Sequence, residues 1–180
     1  MGNHSSAIND LPTPQSQLHN PVVLISDCFI HKIPVQLAMQ GNDFIDATEK
    51  TLFSGLPSST YWGRDTQYID SEGQVVANTK AGVVYAGNTH DQPTAIFKSN
   101  PVKRKLTINM RNQQKVVVHM SSNRAAMFLE DKNRTKGLTC IAAFEKNSIW
   151  SMTLAAGVDV TLGIVVAKFL GENMAAYRWK

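Results

Sequence analysis

The sequence predicts a mainly β domain, a sandwich or barrel, wrapped around one buried helix near the C-terminus. Three observations carry that prediction. From residue 21 to 154, short β-prone runs follow one another with no sustained helical period. The segments between them, such as 46–50, 70–73, 87–91, 111–114 and 130–134, are rich in Asp, Asn, Gln and Gly. Those residues cap turns with their own side chains or tolerate left-handed backbone, so the segments read as hairpin turns. Finally, one uninterrupted apolar run, 160–167, stands close to the C-terminus.

Taken in order, residues 1–20 lack an apolar period and are rich in Asn, Ser, Gln and Pro, which predicts a flexible arm. The domain proper spans 21–180. Candidate strands are 22–26, 35–39, 43–47, 51–54, 66–69, 75–79 and 83–86, then 94–98, 105–110, 115–120, 125–129, 138–144 and 149–154. Many short strands joined by hairpins define a sandwich or barrel. An acid at Asp159, a base at Lys168 and a glycine at Gly171 predict a helix over 159–170.

Val160, Leu162, Ile164, Val165, Val166, Phe169 and Leu170 spread around that helix, and a helix apolar on most faces must be buried. A bilayer span needs about 20 apolar residues, more than lie between Asp159 and Lys168. Lengthening the span back to Ile149 would put Asp159 near mid-membrane at about 2.5–3.5 kcal/mol. Enclosure by the preceding β-structure is the expected arrangement.

At 180 residues and 43% hydrophobic content the chain is large enough for one core plus a tail. A net charge of +4 favours anionic partners only mildly. Cys28 and Cys140 lack C-x-x-C or Cys/His spacing, which argues against a zinc site or disulfide framework, and both are expected as small buried hydrophobes in strands. His4, His19, His31, His90 and His119 show no ligand spacing, and no nucleophile elbow, P-loop or dinucleotide fingerprint is present. No cofactor, metal or enzyme activity is expected. The first residues lack a secretory signal, so the sequons at Asn3 and Asn133 are not expected to be glycosylated and the cytosol is the expected compartment.

Two features point to a membrane surface. The opening MGNHSS places Gly2 and Ser6 in the register of an N-myristoylation signal, making Gly2 the candidate lipidation site of a lipoprotein. The stretch 98–115 concentrates Lys98, Lys103, Arg104, Lys105, Arg111 and Lys115. In an extended strand Lys103 and Lys105 share one face, while Arg104 falls on the other with Leu106, Ile108 and Met110, which places Arg104 at a strand end or bulge. A second basic set, Lys132, Arg134 and Lys136, occupies a turn expected at the same end of the barrel. Each such cation contributes about 1 kcal/mol near an anionic leaflet. The bland alternative is a solvated turn whose charges discourage edge pairing. Trp62 is expected to pack over a loop, with Tyr61 and Trp62 suited to a membrane interface if exposed. The basic stretches lack the interleaved aromatics of single-strand binders and no recognition helix is visible, which disfavours nucleic acid.

Three stretches resemble the tubby C-terminal-like fold, shared by tubby proteins, phospholipid scramblases and the LURP-one-related family, with the last the best match. GNDFIDATEKTLFSG resembles that family's strand, turn, strand opening, with Lys50 standing where the family often has glycine. DTQYIDSEGQVVANTKAG resembles its second hairpin, and LAAGVDVTLGIVVAKFLGEN its terminal helix with an aspartate near the start. The resemblance covers about 20–172 and implies a barrel of about twelve strands enclosing a hydrophobic helix, with no established enzyme activity. For the tubby branch it implies phosphoinositide binding, and for the scramblase branch membrane association.

The expectation is therefore a monomeric, non-enzymatic protein on the cytosolic face of a membrane. Gly2 would be acylated, and Lys103, Arg104, Lys105, Lys132, Arg134 and Lys136 would meet anionic phospholipid headgroups. A myristoyl chain alone gives an association constant of about 10⁴ M⁻¹, so a second attachment is needed. The alternative is a soluble adaptor whose barrel binds a protein partner or a small ligand.

Overall fold

Alternating burial runs along most strands of the chain, and it closes them into a barrel. A computed structural model describes residues 11–57, 65–130 and 137–176, with backbone only for 173–176. Twelve strands form the closed barrel: β2 (Val35–Gln40), β3 (Asp43–Ile45), β4 (Thr51–Pro57), β5 (Thr66–Asp70), β6 (Val75–Lys80), β7 (Val83–Ala86), β8 (Pro93–Asn100), β9 (Lys105–Met110), β10 (Lys115–Met120), β11 (Arg124–Glu130), β12 (Leu138–Lys146) and β13 (Trp150–Leu154). Each pairs antiparallel with its chain neighbours, and β13 closes the ring on β2 through Trp150↔Met39 and Leu154↔Val35. In β9, Leu106, Ile108 and Met110 are buried while Lys105, Thr107 and Asn109 face outward, the period-two pattern that fixes register. All twelve barrel strands overlap expected ones.

The hairpin turns use the chemistry the sequence suggested. Asp46 Oδ1 accepts from Thr48 N and Lys50 N, Asp70 Oδ1 from Glu72 N and Gln74 N, and Asn112 Oδ1 from Gln114 N. Each turn needs one left-handed residue, supplied by Glu49, Gly73 and Gln113. The glycine-like position of the first turn is thus Glu49 and not Lys50, as the alignment of 46–49 with 70–73 makes plain. The Asp46 carboxyl is held below its ordinary value chiefly by the Thr48 hydroxyl and amide bonds.

Inside the barrel runs α1 (Val160–Ala176). Leu162, Ile164, Val165, Val166 and Leu170 are all at most 2% exposed, and burying each contributes about 1.5–3 kcal/mol. The helix continues beyond the expected stop at Leu170. Gly171 is not a cap: a Cβ there would come within 2.7 Å of Met39 Cε, so the glycine makes room for the barrel wall. Gly163 makes the same kind of room nearer the start of the helix, its virtual Cβ lying 2.8 Å from Leu154 Cδ2.

Because the strands alternate direction, their connections fall at two ends. The helix begins at the end with turns 71–74, 87–92 and 111–114, here the entry end. It leaves at the exit end, with connections 41–42, 81–82, 101–104, 121–123 and 147–149. The N-terminal segment ties the entry end down. β1 (Gln17–Val22) pairs in parallel with β14 (Ala156–Val158), and Gln15 N donates to Cys140 O. The segment expected as arm to residue 20 is therefore part of the fold from Gln15 onward. The expected strand 22–26 stops at Val22, since the amides of Leu24, Ile25 and Ser26 turn to Asp159 Oδ2 at 2.9, 2.8 and 3.3 Å. Asp159, fully buried, also accepts from Thr161 N and Thr161 Oγ1 and so caps α1. Cys28 is exposed in a short 3₁₀ turn (Asp27–Phe29) and not in a strand. Cys140 is half-buried in β12, and burial pushes its thiol up to about 11.

Candidate functional site

Among the described residues, the two ends of the barrel differ in charge. The exit end collects Lys80, Lys98, Lys103, Arg104, Lys105, Arg124, Lys146 and Lys168 among the described residues, against Asp43, Asp65, Glu145 and Glu172. Arg124 Nη2 lies 3.2 Å from Glu145 Oε1, and Lys168 Nζ lies 3.7 Å from Glu172 Oε1 while donating to Asn42 Oδ1 at 2.7 Å. Among the described residues the entry end instead gathers Asp27, Asp46, Glu49, Asp70, Glu72, Asp91 and Glu130 around Lys32, Lys50, Arg111 and Lys115. Among the described residues the surplus of cations lies at the exit end.

The β8–β9 hairpin carries its centre. Asn100 pairs with Lys105, and the turn between them is fixed by Lys103 N donating to Asn100 Oδ1 (3.0 Å) and Arg104 N to Pro101 O (3.0 Å). Arg104 takes a left-handed φ of 48° at the end of the turn, the strand-end position expected for it. Lys103 belongs to the turn, whereas Lys105 begins β9 on its outer face. Arg111 and Lys115 lie at the other end of β9 and β10, so the sequence cluster is divided between the two ends.

Lys105 faces His119 across the β9–β10 ladder. Burial, and secondly the Lys105 charge, hold the His119 imidazole below its ordinary value. In the unfolded chain the ring takes its proton near pH 6.5. The folded protein takes it lower, so stability is lost as pH falls from about 6.5 through the depressed value. An NMR titration is expected to place the His119 midpoint below that of a free histidine. Lys105→Ala should move it up but only some of the way, because burial remains; a midpoint unchanged by Lys105→Ala would refute the contact.

The other expected site residues fall differently. Gly2, Lys132, Arg134, Lys136, Tyr61 and Trp62 lie outside the described residues. The strands that flank 131–136 are described, however. Glu130 and Leu138 both sit at the entry end, where Glu130 Oε2 pairs with Lys115 Nζ at 2.6 Å. The strand order thus separates the second basic set's flanks from Lys103 and Lys105, contrary to the expectation of a shared end. Sequence proximity also concealed Lys80 and Lys146, which belong to the exit end through other hairpins. Counting strand direction along an up-and-down meander would have found them.

Beside the helix exit a groove of about 330 Å³ is lined by Met39, Lys146, Ile149, Trp150, Lys168 and Gly171, among others. The buried indole Nε1 of Trp150 has no hydrogen-bond partner. Among the described residues no three His, Cys, Asp or Glu side chains converge as metal ligands, and no helix is long and apolar enough to cross a membrane.

A closed twelve-stranded antiparallel barrel holding a C-terminal helix fits the tubby-like, LURP-type fold. Among solved structures, the chain is similar to the X-ray structure of a protein from Arabidopsis thaliana, AT5G01750. The TM-score is 0.70 and the identity 16%, covering 84% of this chain and 98% of that chain. At that identity the likeness is one of fold. No protein-family model matches the chain, and no curated protein matches it.

Proposed function

We infer that the chain is a LURP-one-related, non-enzymatic protein of membrane surfaces on the cytosolic side, which binds anionic phospholipid headgroups, phosphoinositides included, through the exit end. The observation that supports this is the segregation of charge along the barrel axis among the described residues, with Lys98, Lys103 and Lys105 on one hairpin. At about 1 kcal/mol per cation, four or five make a reversible electrostatic contact. Myristoylation of Gly2 would add a second attachment. Eight residues lie between Gly2 and Leu11, and their nine chain steps reach at most about 30 Å. Pro12 and Gln15 lie against Cys140, near the start of β12. The described chain thus begins at the end of the barrel opposite the basic hairpin, and the two attachments are tested separately.

Unmodified protein is expected to float with vesicles of phosphatidylcholine and phosphatidylserine, more strongly when a phosphoinositide is present, and to be released by salt. Lys103→Glu with Lys105→Glu should lower binding at least about tenfold, as two reversed charges require. Reversal of Lys132, Arg134 and Lys136 tests whether that loop meets the same leaflet. Absence of wild-type binding at any salt would refute the lipid reading. For the acyl group, the intact mass from a eukaryotic cell should show loss of Met1 and gain of a myristoyl chain, and Gly2→Ala should reduce the membrane-bound fraction. The exit groove, with the unpartnered Trp150 Nε1, favours a second reading as a small-ligand module. Thermal stabilisation by a small molecule, lost in Trp150→Phe, would select it.

A further inference from the structure

The β8–β9 hairpin stands beyond its neighbour on one side. Val83, the first residue of β7, pairs with Ile96, and Phe97 N donates to Gly82 O, so residues 98–100 run past the β6–β7 turn. At about 3.3 Å per residue that leaves roughly 10 Å of the β8 edge unflanked, while β9 stays paired with β10. At its tip sits Val102, 91% exposed, the most exposed of the domain's large apolar side chains among the described residues.

The tip is held in place. Pro101 fixes its own φ, Asn100 and Pro101 accept the Lys103 and Arg104 amides, and Arg104 O accepts from Met120 N at 2.9 Å. An ordered turn thus presents a stiff β-branched apolar side chain to solvent. A single exposed apolar residue is ordinary on a protein surface. This one lies within a collar of Lys98, Lys103, Arg104 and Lys105, and the exposed Ile149 and Leu56 lie at the same end of the barrel.

We propose that Val102 is the apolar wedge of a docking tip that enters the headgroup and acyl boundary of an anionic bilayer while the surrounding lysines meet lipid phosphates. The proposal rests on the lipid reading above and adds a penetrating contact and an orientation, exit end toward the membrane. A bilayer suits the tip better than a protein partner does. The collar is cationic, whereas the apolar element is one side chain wide, far short of the roughly 800 Å² per partner of a stable protein interface. The collar acts within a Debye length of the surface and the wedge acts after contact, so the two contributions separate experimentally.

The experiment uses the full chain, without acylation, and vesicles of phosphatidylcholine and phosphatidylserine with and without a phosphoinositide. Val102→Asn is expected to weaken binding about tenfold, the worth of one buried valine, while leaving the salt dependence and the melting temperature unchanged. Lys103→Glu with Lys105→Glu should instead reduce the salt dependence. Val102→Trp should keep binding, and its fluorescence should be quenched by brominated acyl chains beyond the quenching of the wild-type tryptophans. Wild-type affinity in Val102→Asn, or binding of Val102→Trp without added quenching, overturns the wedge and leaves the lipid reading standing. Failure of the wild type to bind any vesicle overturns both.

Discussion

Asp159→Asn is expected to destabilise the domain by about 3 kcal/mol or more. The carboxylate is fully buried and accepts five hydrogen bonds, three of them from the consecutive amides of Leu24, Ile25 and Ser26. Asparagine keeps one acceptor oxygen and turns an amino group toward donors. With its oxygen kept toward Leu24, Ile25 and Ser26 it leaves the Thr161 amide without an acceptor, while the Thr161 hydroxyl turns to accept from the new amino group; in the other orientation it orphans the three amides, at about 1–3 kcal/mol per donor. The Thr161 amide is the capping contact of α1, and the bonds that remain go to a neutral oxygen in place of a charged one, which weakens each of them. Urea unfolding measures the loss, and hydrogen exchange should show the amides of Leu24 and Ile25 opening before the barrel does. A change below about 1 kcal/mol would mean that the carboxylate is not the knot between segment 22–26 and the helix.

Gly163→Val is expected to cost about as much for the opposite reason, excess volume. A Cβ at this position lies 2.8 and 2.9 Å from the Leu154 methyl carbons and 3.1 Å from Met152 Sδ. Leu154 is fully buried and Met152 is 4% exposed, so neither can swing into solvent. Removing a glycine from a helix interior gains about 1 kcal/mol in propensity, but overpacking costs about 1–3 kcal/mol or more. Strain wins, narrowly for Gly163→Ala and clearly for Gly163→Val. The discriminating measurement is a double-mutant cycle with Leu154→Ala. Each single change should destabilise, and the pair should recover at least about 1 kcal/mol through coupling. Strict additivity would show that the helix can shift inside the barrel.

What the residues disclosed, and what they hid, follows from the range of the interactions. Leu106, Ile108 and Met110 announce a strand because the alternation is local, and Val160 to Leu170 announce a buried helix because no face is polar. Gly171 misled because a glycine after an apolar run has two uses, a stop signal and a close approach, and the choice depends on Met39. The run 22–26 reads as a strand by composition, yet Leu24 N bonds to a carboxylate 135 residues away. At the candidate site, Lys103 and Lys105 were visible as a cluster. Lys80 and Lys146 were not, since strand direction and not sequence distance brings them to the same rim. Val102 passed unnoticed because exposure cannot be read from the identity of one residue.

The helix inside the barrel also sets the order in which the chain can finish folding. The filling of the barrel follows all twelve of its strands in the chain and leaves the ribosome after them, and the strand that closes the ring, β13, is made only just before it. Until α1 exists, the inward side chains of twelve strands have nothing to pack on, and the amides of Leu24 to Ser26 have no acceptor. Local hairpins can form during synthesis, but the cooperative step must wait for the C-terminal end of the domain. A ribosome stalled shortly before residue 160 would therefore display an unfilled meander, a substrate for chaperones, whereas emergence of α1 closes core, ring and N-terminal latch together.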